Sequence, residues 1–181
     1  MRKVVDWKVL WMTLAFQVSQ RSKDPSTQHG CIFVDDHNKF ISMGYNSFPR
    51  DCMDDSLPTT RPDKYKVMIH SEINAIGNAT DRRELVGSTA YITGHPCPNC
   101  FGAMLNAGIG HIIYGPVGSH CLDKSDIDII GQMNISAATL KIKIRITKFE
   151  QWAKIDEVYN FLDSTKEYIS EKIRRTDLIN G

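Results

Sequence analysis

From Asp6 to Ser19 the apolar residues Trp7, Leu10, Trp11, Leu14, Ala15 and Val18 recur at steps of three and four, which predicts an opening amphipathic helix. Gly30 to Val34 and Phe40 to Tyr45 are short apolar runs separated by Asp35-Asp36-His37-Asn38, a cluster of turn formers, and read as a β-hairpin. Between Asn46 and Val67 lie three prolines, several aspartates and few apolar residues, a composition that predicts a loop instead of a packed element. A loop of that length inside a compact domain is usually functional.

The second half of the chain alternates the two periodicities. Ile69 to Thr80 fits a short helix with Ile73, Ala75 and Ile76 toward a core, and Ser88 to Gly94 reads as a strand. Cys97 to Ala107 is helical in pattern, with Phe101, Met104 and Leu105 on one face and Gly108 as the stop. His111 to Tyr114 makes a strand, Ser125 to Leu140 contains a helix, and Lys141 to Phe149 alternates Ile142, Ile144 and Ile146 with polar residues, as a half-buried strand does. The tail, with Trp152, Ile155, Val158, Tyr159, Leu162, Ile169 and Ile173, reads as a long amphipathic helix over about 150–175. A hairpin followed by strands alternating with helices predicts an α/β fold, a three-layer α/β/α sandwich on a mixed sheet of about five strands.

The 181 residues, 41% of them hydrophobic, suit one domain spanning 1–181. Lysine plus arginine (22) nearly balance aspartate plus glutamate (21), so no global positive field marks a partner of polymeric nucleic acid. Met1 to Trp7 lacks the roughly 7–15-residue apolar run of a secretion signal, and no stretch of ~20 apolar residues could span a membrane, so a soluble, cytoplasmic protein is expected. Of the five cysteines, Cys97 and Cys100 form a tight pair that in such a setting points to metal or redox chemistry, whereas Cys31, Cys52 and Cys121 read as packed structural thiols.

Two stretches, His70-Ser71-Glu72 and Pro96-Cys97-Pro98-Asn99-Cys100, reproduce the His-x-Glu…Pro-Cys-x-x-Cys signature of zinc deaminases. One imidazole and two thiolates give three ligands and leave a fourth tetrahedral position for water, the arrangement of a catalytic zinc and not of a closed structural one. Cys97 and Cys100 sit three apart at a helix start, where exposed backbone N–H groups favour thiolate. Glu72 falls in the first turn of its helix, placed to reach the water without binding the metal. The expected chemistry is attack of hydroxide on C4 of a cytosine ring, with Glu72 as general acid/base carrying the proton to N3 and then to the departing amine. A partner-binding zinc module would need a fourth ligand, for which His95 or Cys121 are available, and a redox pair would leave His70 and Glu72 idle.

The chain resembles the deoxycytidylate (dCMP) deaminases of the zinc-dependent cytidine deaminase superfamily. The matching stretches are Ser22-Lys23-Asp24-Pro25-Ser26-Thr27-Gln28-His29-Gly30-Cys31, Gly44-Tyr45-Asn46 with Pro49, Asp54-Asp55-Ser56-Leu57-Pro58, and His70-Ser71-Glu72-Ile73-Asn74-Ala75-Ile76. The resemblance implies deamination of dCMP to dUMP for thymidylate synthesis, a homohexamer, activation by dCTP and inhibition by dTTP through the segment Gly44, Tyr45, Asn46 and Ser47. It also implies a sugar contact by Asn46. A triphosphate effector, with Mg²⁺, is expected to be held by lysine or arginine of the Arg50–Lys66 loop against backbone N–H groups near Tyr45. Ser47 stands where the family has glycine, which puts an effector's close approach in question. Relatives carry a tyrosine near the substrate after the fourth strand; here Tyr114 or His120 could take that place. For the substrate phosphate Lys23, Arg50, Arg61, Lys64 and Lys66 are available. Within the superfamily, an adenosine deaminase acting on transfer RNA would share the metal site but call for a basic surface.

Overall fold

The computed structural model describes residues 4–53, 56–118, 122–139, 143–151 and 154. Its elements are α1 (Trp7–Ser19), β1 (Gly30–Val34), β2 (Phe40–Tyr45), α2 (Ser71–Asn78), β3 (Thr89–Ile92), α3 (Pro98–Asn106), β4 (His111–Tyr114), α4 (Lys124–Ala138) and β5 (Arg145–Lys148). They form one mixed sheet in the order β2-β1-β3-β4-β5. β1 runs antiparallel to both β2 and β3, while β3, β4 and β5 are parallel. The parallel pairs are joined by α3 and α4, because a parallel connection has to cross the sheet and a helix does so compactly.

Successive strand residues feed opposite faces, and both faces are buried. Cys31, Phe33, Ala90, Ile92 and Ile112 pack with Ala75 of α2, Phe101 and Met104 of α3 and Ile130 of α4. Ile32, Val34, Tyr91 and Ile113 pack with Val9, Met12 and Ala15 of α1 and with Phe149. This two-sided burial is what makes β1 read as an unbroken apolar run, buried along its whole length. Two glycines permit the close layering. A Cβ on Gly30 would lie 2.0 Å from the Ala15 carbonyl oxygen, and one on Gly44 would lie 2.3 Å from the Ala75 nitrogen, so α1 and α2 sit directly on the hairpin.

Several expectations shift in detail. The buried face of α1 is Val9, Trp11, Met12 and Ala15, with Trp7 and Leu14 exposed, because apolar residues run almost all round this helix and periodicity alone does not select a side. In α2, Ile73 is exposed, and Ser71, Glu72 and Ala75 take the inward positions. The 46–67 segment is not wholly unpacked: Asp63–Lys66 forms a 3-10 turn whose Lys64 is 2% exposed. Cys31 is a core thiol, but Cys52 is exposed and lines a cavity, so it does not pack as a small hydrophobe. The expected helix over about 150–175 lies outside the described residues. No helix among the described residues is long and apolar enough to cross a membrane.

Candidate active site

Helix starts deliver the motif residues. His70 is the N-cap of α2 and Cys97 the N-cap of α3, both in extended backbone conformation, and Cys100 follows in the first turn of α3. Pro98 opens α3, where its fixed φ suits the helix and its missing N–H costs no bond. His70 Nδ1 lies 3.5 Å from Cys97 Sγ and 3.3 Å from Cys100 Sγ. In a tetrahedral zinc site with Zn–S near 2.3 Å and Zn–N near 2.0–2.1 Å, the N-to-S edge is about 3.6 Å. Both N-to-S edges are therefore close to what such an ion needs, and the three ligand atoms all lie within 4.8 Å of one another. Their chemistry agrees: two soft sulfurs and an imidazole are a zinc donor set. A hydrogen bond from Cys100 outweighs burial and, with His70, holds the Cys97 thiol down to about 4, while the same bond and burial push Cys100 up.

Glu72 is 5% exposed, and its Oε2 accepts from Ser71 Oγ at 3.0 Å. It lines a cavity of about 160 Å³ together with His70, Cys97, His29, Asn46 and Tyr65. His95, the described alternative for a fourth ligand, stands outside the ligand trio, with Nδ1 2.9 Å from the Pro96 carbonyl oxygen. Cys121 and His120 lie outside the described residues.

The other expected site residues divide between this cavity and two more. Tyr114 packs edge-on against His95, ring centroids 4.6 Å apart, and lines a neighbouring space of about 260 Å³ that shares His95 and Leu122 with the first. Lys23 lines a third cavity of about 340 Å³ with Arg21, Arg50, Tyr45 and Ser47, and so does not stand in the wall around Glu72. Extended backbone alternates its side chains, which sends Tyr45 and Ser47 into this larger cavity and Asn46 into the smaller one. Gly44 does neither; it lies under α2. Ser47 Oγ meets Asn74 Nδ2 at 3.0 Å. Lys66 pairs with Asp63 at 2.7 Å on the surface, and Arg61 lies over the Tyr65 ring at 5.6 Å.

Sequence reasoning did not single out His29 or Asp24. Burial lowers the His29 pKa, against the opposing pull of Glu72, so its imidazole is a neutral group in the cavity wall. Asp24 forms a buried ion pair with Lys64 at 2.8 Å, both side chains 3% exposed, so Lys64 is not a solvated charge. Asp24-Pro25-Ser26 is an Asx-turn pattern, and that was the available signal.

A mixed α/β/α sheet that brings one histidine and two cysteines together at helix starts, with a buried carboxylate beside them, defines a zinc-binding protein of the deaminase type. Residues 5–116 match the family described as the cytidine and deoxycytidylate deaminase zinc-binding region, and the chain belongs to that family. It is 37% identical over 116 residues to a deoxycytidylate deaminase of Mus musculus and 36% identical to that of Homo sapiens. Each match covers 61% of this chain and 65% of the relative, so the chain spans about 65% of the length of these relatives. Among solved structures, the cyanophage S-TIM5 dCMP deaminase in complex with dCMP and dUMP superposes with a TM-score of 0.60 at 21% identity, covering 82% of this chain and all of that one. A structure from work on tRNA:A34 deaminases superposes at 0.52 and 20% identity, covering 80% of this chain and all of that one. At such identities the two share the fold with this chain.

Proposed function

We propose that this chain, as a single domain, is a hydrolytic deaminase converting dCMP to dUMP and ammonia. The observation that carries this reading is one small cavity holding both the zinc ligand trio and the Glu72 carboxylate, with Asn46 in its wall. The names of its relatives support dCMP over other cytosine compounds. His70, Cys97 and Cys100 hold the ion, and zinc when bound supplies Lewis acidity that brings a water's pKa to about 7. Glu72 takes one proton from the attacking water and delivers it to N3 as C4 becomes tetrahedral. It then passes a proton to the departing amine, so that water and the cytosine ring yield a uracil ring and ammonia. The Ser71 hydroxyl steadies the Glu72 carboxylate between the two transfers. Asn46 meets the sugar, and Arg61, whose guanidinium lies over the ring of the wall residue Tyr65, is assigned to the phosphate.

The larger cavity, with Arg21, Lys23 and Arg50 in its wall, takes a triphosphate effector, dCTP as activator or dTTP as inhibitor, with Mg²⁺ among its phosphates. The assembly is a homo-oligomer, a hexamer, as in the family it resembles. Ammonia release measured side by side from dCMP, cytidine and dCTP tests the substrate. dCMP should lead in kcat/KM; equal or better turnover of cytidine overturns the nucleotide reading, and no release from any of the three overturns deamination of cytosine.

A further inference from the structure

Lys64 is a buried ammonium whose three protons are all committed. Nζ donates to Asp24 Oδ1 at 2.9 Å, to Asp24 Oδ2 at 2.8 Å, and to Ser26 Oγ. Although Lys64 lines the active cavity, no donor is left for a phosphate. The Asp24 carboxylate is in turn the hub of one cavity wall. Its Oδ1 accepts from the backbone N–H groups of Ser26 at 2.8 Å and Thr27 at 3.2 Å, and Oδ2 accepts from Asn46 Nδ2 at 3.4 Å.

The Asn46 amide is consequently fixed in orientation. Its Nδ2 also donates to the Thr27 carbonyl at 2.9 Å, and its Oδ1 accepts from the His29 backbone N–H at 2.7 Å. A backbone N–H can only donate and a carbonyl can only accept, so the amide cannot be reversed without losing both bonds. With both Nδ2 protons used, the only capacity left is the second lone pair of Oδ1. That edge accepts from a hydroxyl and offers nothing to an acceptor such as a phosphate oxygen.

We propose that Lys64 is a positioning residue for substrate selection: it anchors Asp24, which holds the Thr27 backbone that Asn46 bonds and itself accepts from Asn46 Nδ2, so that the amide keeps an acceptor toward a sugar hydroxyl and sets affinity for 3′-hydroxyl-bearing nucleotides without Lys64 touching them. This rests on the functional reading above. Asn46, Thr27, His29, Asp24 and Lys64 all line the cavity that holds Glu72, so the lock belongs to the wall and not to a remote part of the core.

The test compares dCMP with 2′,3′-dideoxycytidine monophosphate, which lacks the 3′-hydroxyl, in wild-type protein and in the double variant Asp24→Asn/Lys64→Met. Removing both charges together avoids burying one unpaired. In the double variant KM for dCMP should rise about tenfold, the range of one lost hydrogen bond. KM for the dideoxy compound should stay within about twofold, and zinc content should be unchanged. An equal rise for both substrates, or none for either, overturns the inference, since a merely structural role has no reason to distinguish a hydroxyl. Should the double variant not fold, Ser26→Ala removes one of the three Nζ acceptors and should give a smaller rise selective for dCMP; a non-selective effect there overturns it equally. Wild-type protein that releases no ammonia from dCMP overturns the functional reading first, and that outcome is distinct from an active wild type whose variants fail to discriminate.

Discussion

A carboxylate 5% exposed is costly to keep unless it has work or partners, and Glu72 has one hydroxyl partner, Ser71 Oγ, beside three metal-ligand side chains. On the proposed reading its work is to move protons without binding the ion. Glu72→Gln should therefore retain zinc and fold while turnover falls by about 10²-fold or more; near-normal turnover in the zinc-loaded variant would remove Glu72 from the chemistry. Cys100→Ala, by contrast, takes away a corner of the ligand trio, and metal analysis should find little zinc bound, an expectation that an unchanged zinc content sinks. These residues were legible in the sequence because motif spacing and helix-start geometry are both local. His29 and the Asp24–Lys64 pair were not, because partners about forty positions apart meet only in three dimensions. Lys64 in particular reads as one more surface lysine in a polar loop, and only the fold reveals that its charge is buried and answered.

The strands and helices carried a clear periodic signal, and the mixed sheet followed from their order. Helix faces were less legible. α1 is apolar on too many sides to choose one, and in α2 the polar residues Ser71 and Glu72 take the inward positions while Ile73, which a hydrophobic pattern turns inward, is exposed. Gly44 shows how tightly the site depends on these elements. A Cβ there would lie 2.3 Å from the Ala75 nitrogen and 2.4 Å from the Ser71 carbonyl oxygen, backbone atoms that cannot turn aside. Gly44→Ala should cost on the order of 1–3 kcal/mol in urea denaturation, the usual range for overpacking, and weaken zinc retention by shifting His70; a fully stable, zinc-replete variant would contradict this. At the other side of the sheet, His111 of β4 faces Arg145 of β5, with Nδ1 accepting from the guanidinium at 2.8 Å and Nε2 2.9 Å from Thr147 Oγ1. Burial, then the cations Arg145 and Lys8, lower the ring's pKa from 6.5 to about 4. The unfolded ring takes up a proton below about 6.5 while the folded one stays neutral, so unfolding binds the extra proton and stability falls as pH drops from 6.5 toward 4. His111→Gln should flatten that part of the stability–pH curve, and parallel curves for the two proteins would show that another group is responsible.

At the scale of the whole molecule, the cavities proposed for substrate and for effector are neighbours separated by a thin wall. Asp24 and Met68 line both the cavity containing Glu72 and the larger one containing Arg21, Lys23 and Arg50. An anion entering the larger cavity places its charge on one side of a wall whose other side holds Asn46. It also meets Asn74, whose amide donates to the Tyr45 carbonyl at 2.7 Å and which belongs to α2, the helix that His70 caps. Proximity alone does not couple the sites, because a ligand shifts an equilibrium only by its differential affinity for two states. Coupling therefore requires that triphosphate binding favour one setting of the Asp24 wall and of α2 over another, and that subunits of a homo-oligomer share the change. On that basis dCMP saturation should be sigmoidal, straightened toward a hyperbola by dCTP and displaced to higher concentration by dTTP. Lys23→Ala, whose side chain lines the larger cavity and not the one holding Glu72, should blunt both effector responses while leaving turnover at saturating dCMP in place. Curves that stay hyperbolic and ignore both triphosphates would mean that this cavity does not report to the active one, and that Ser47, half-buried against Asn74 in its wall, has closed it to effectors.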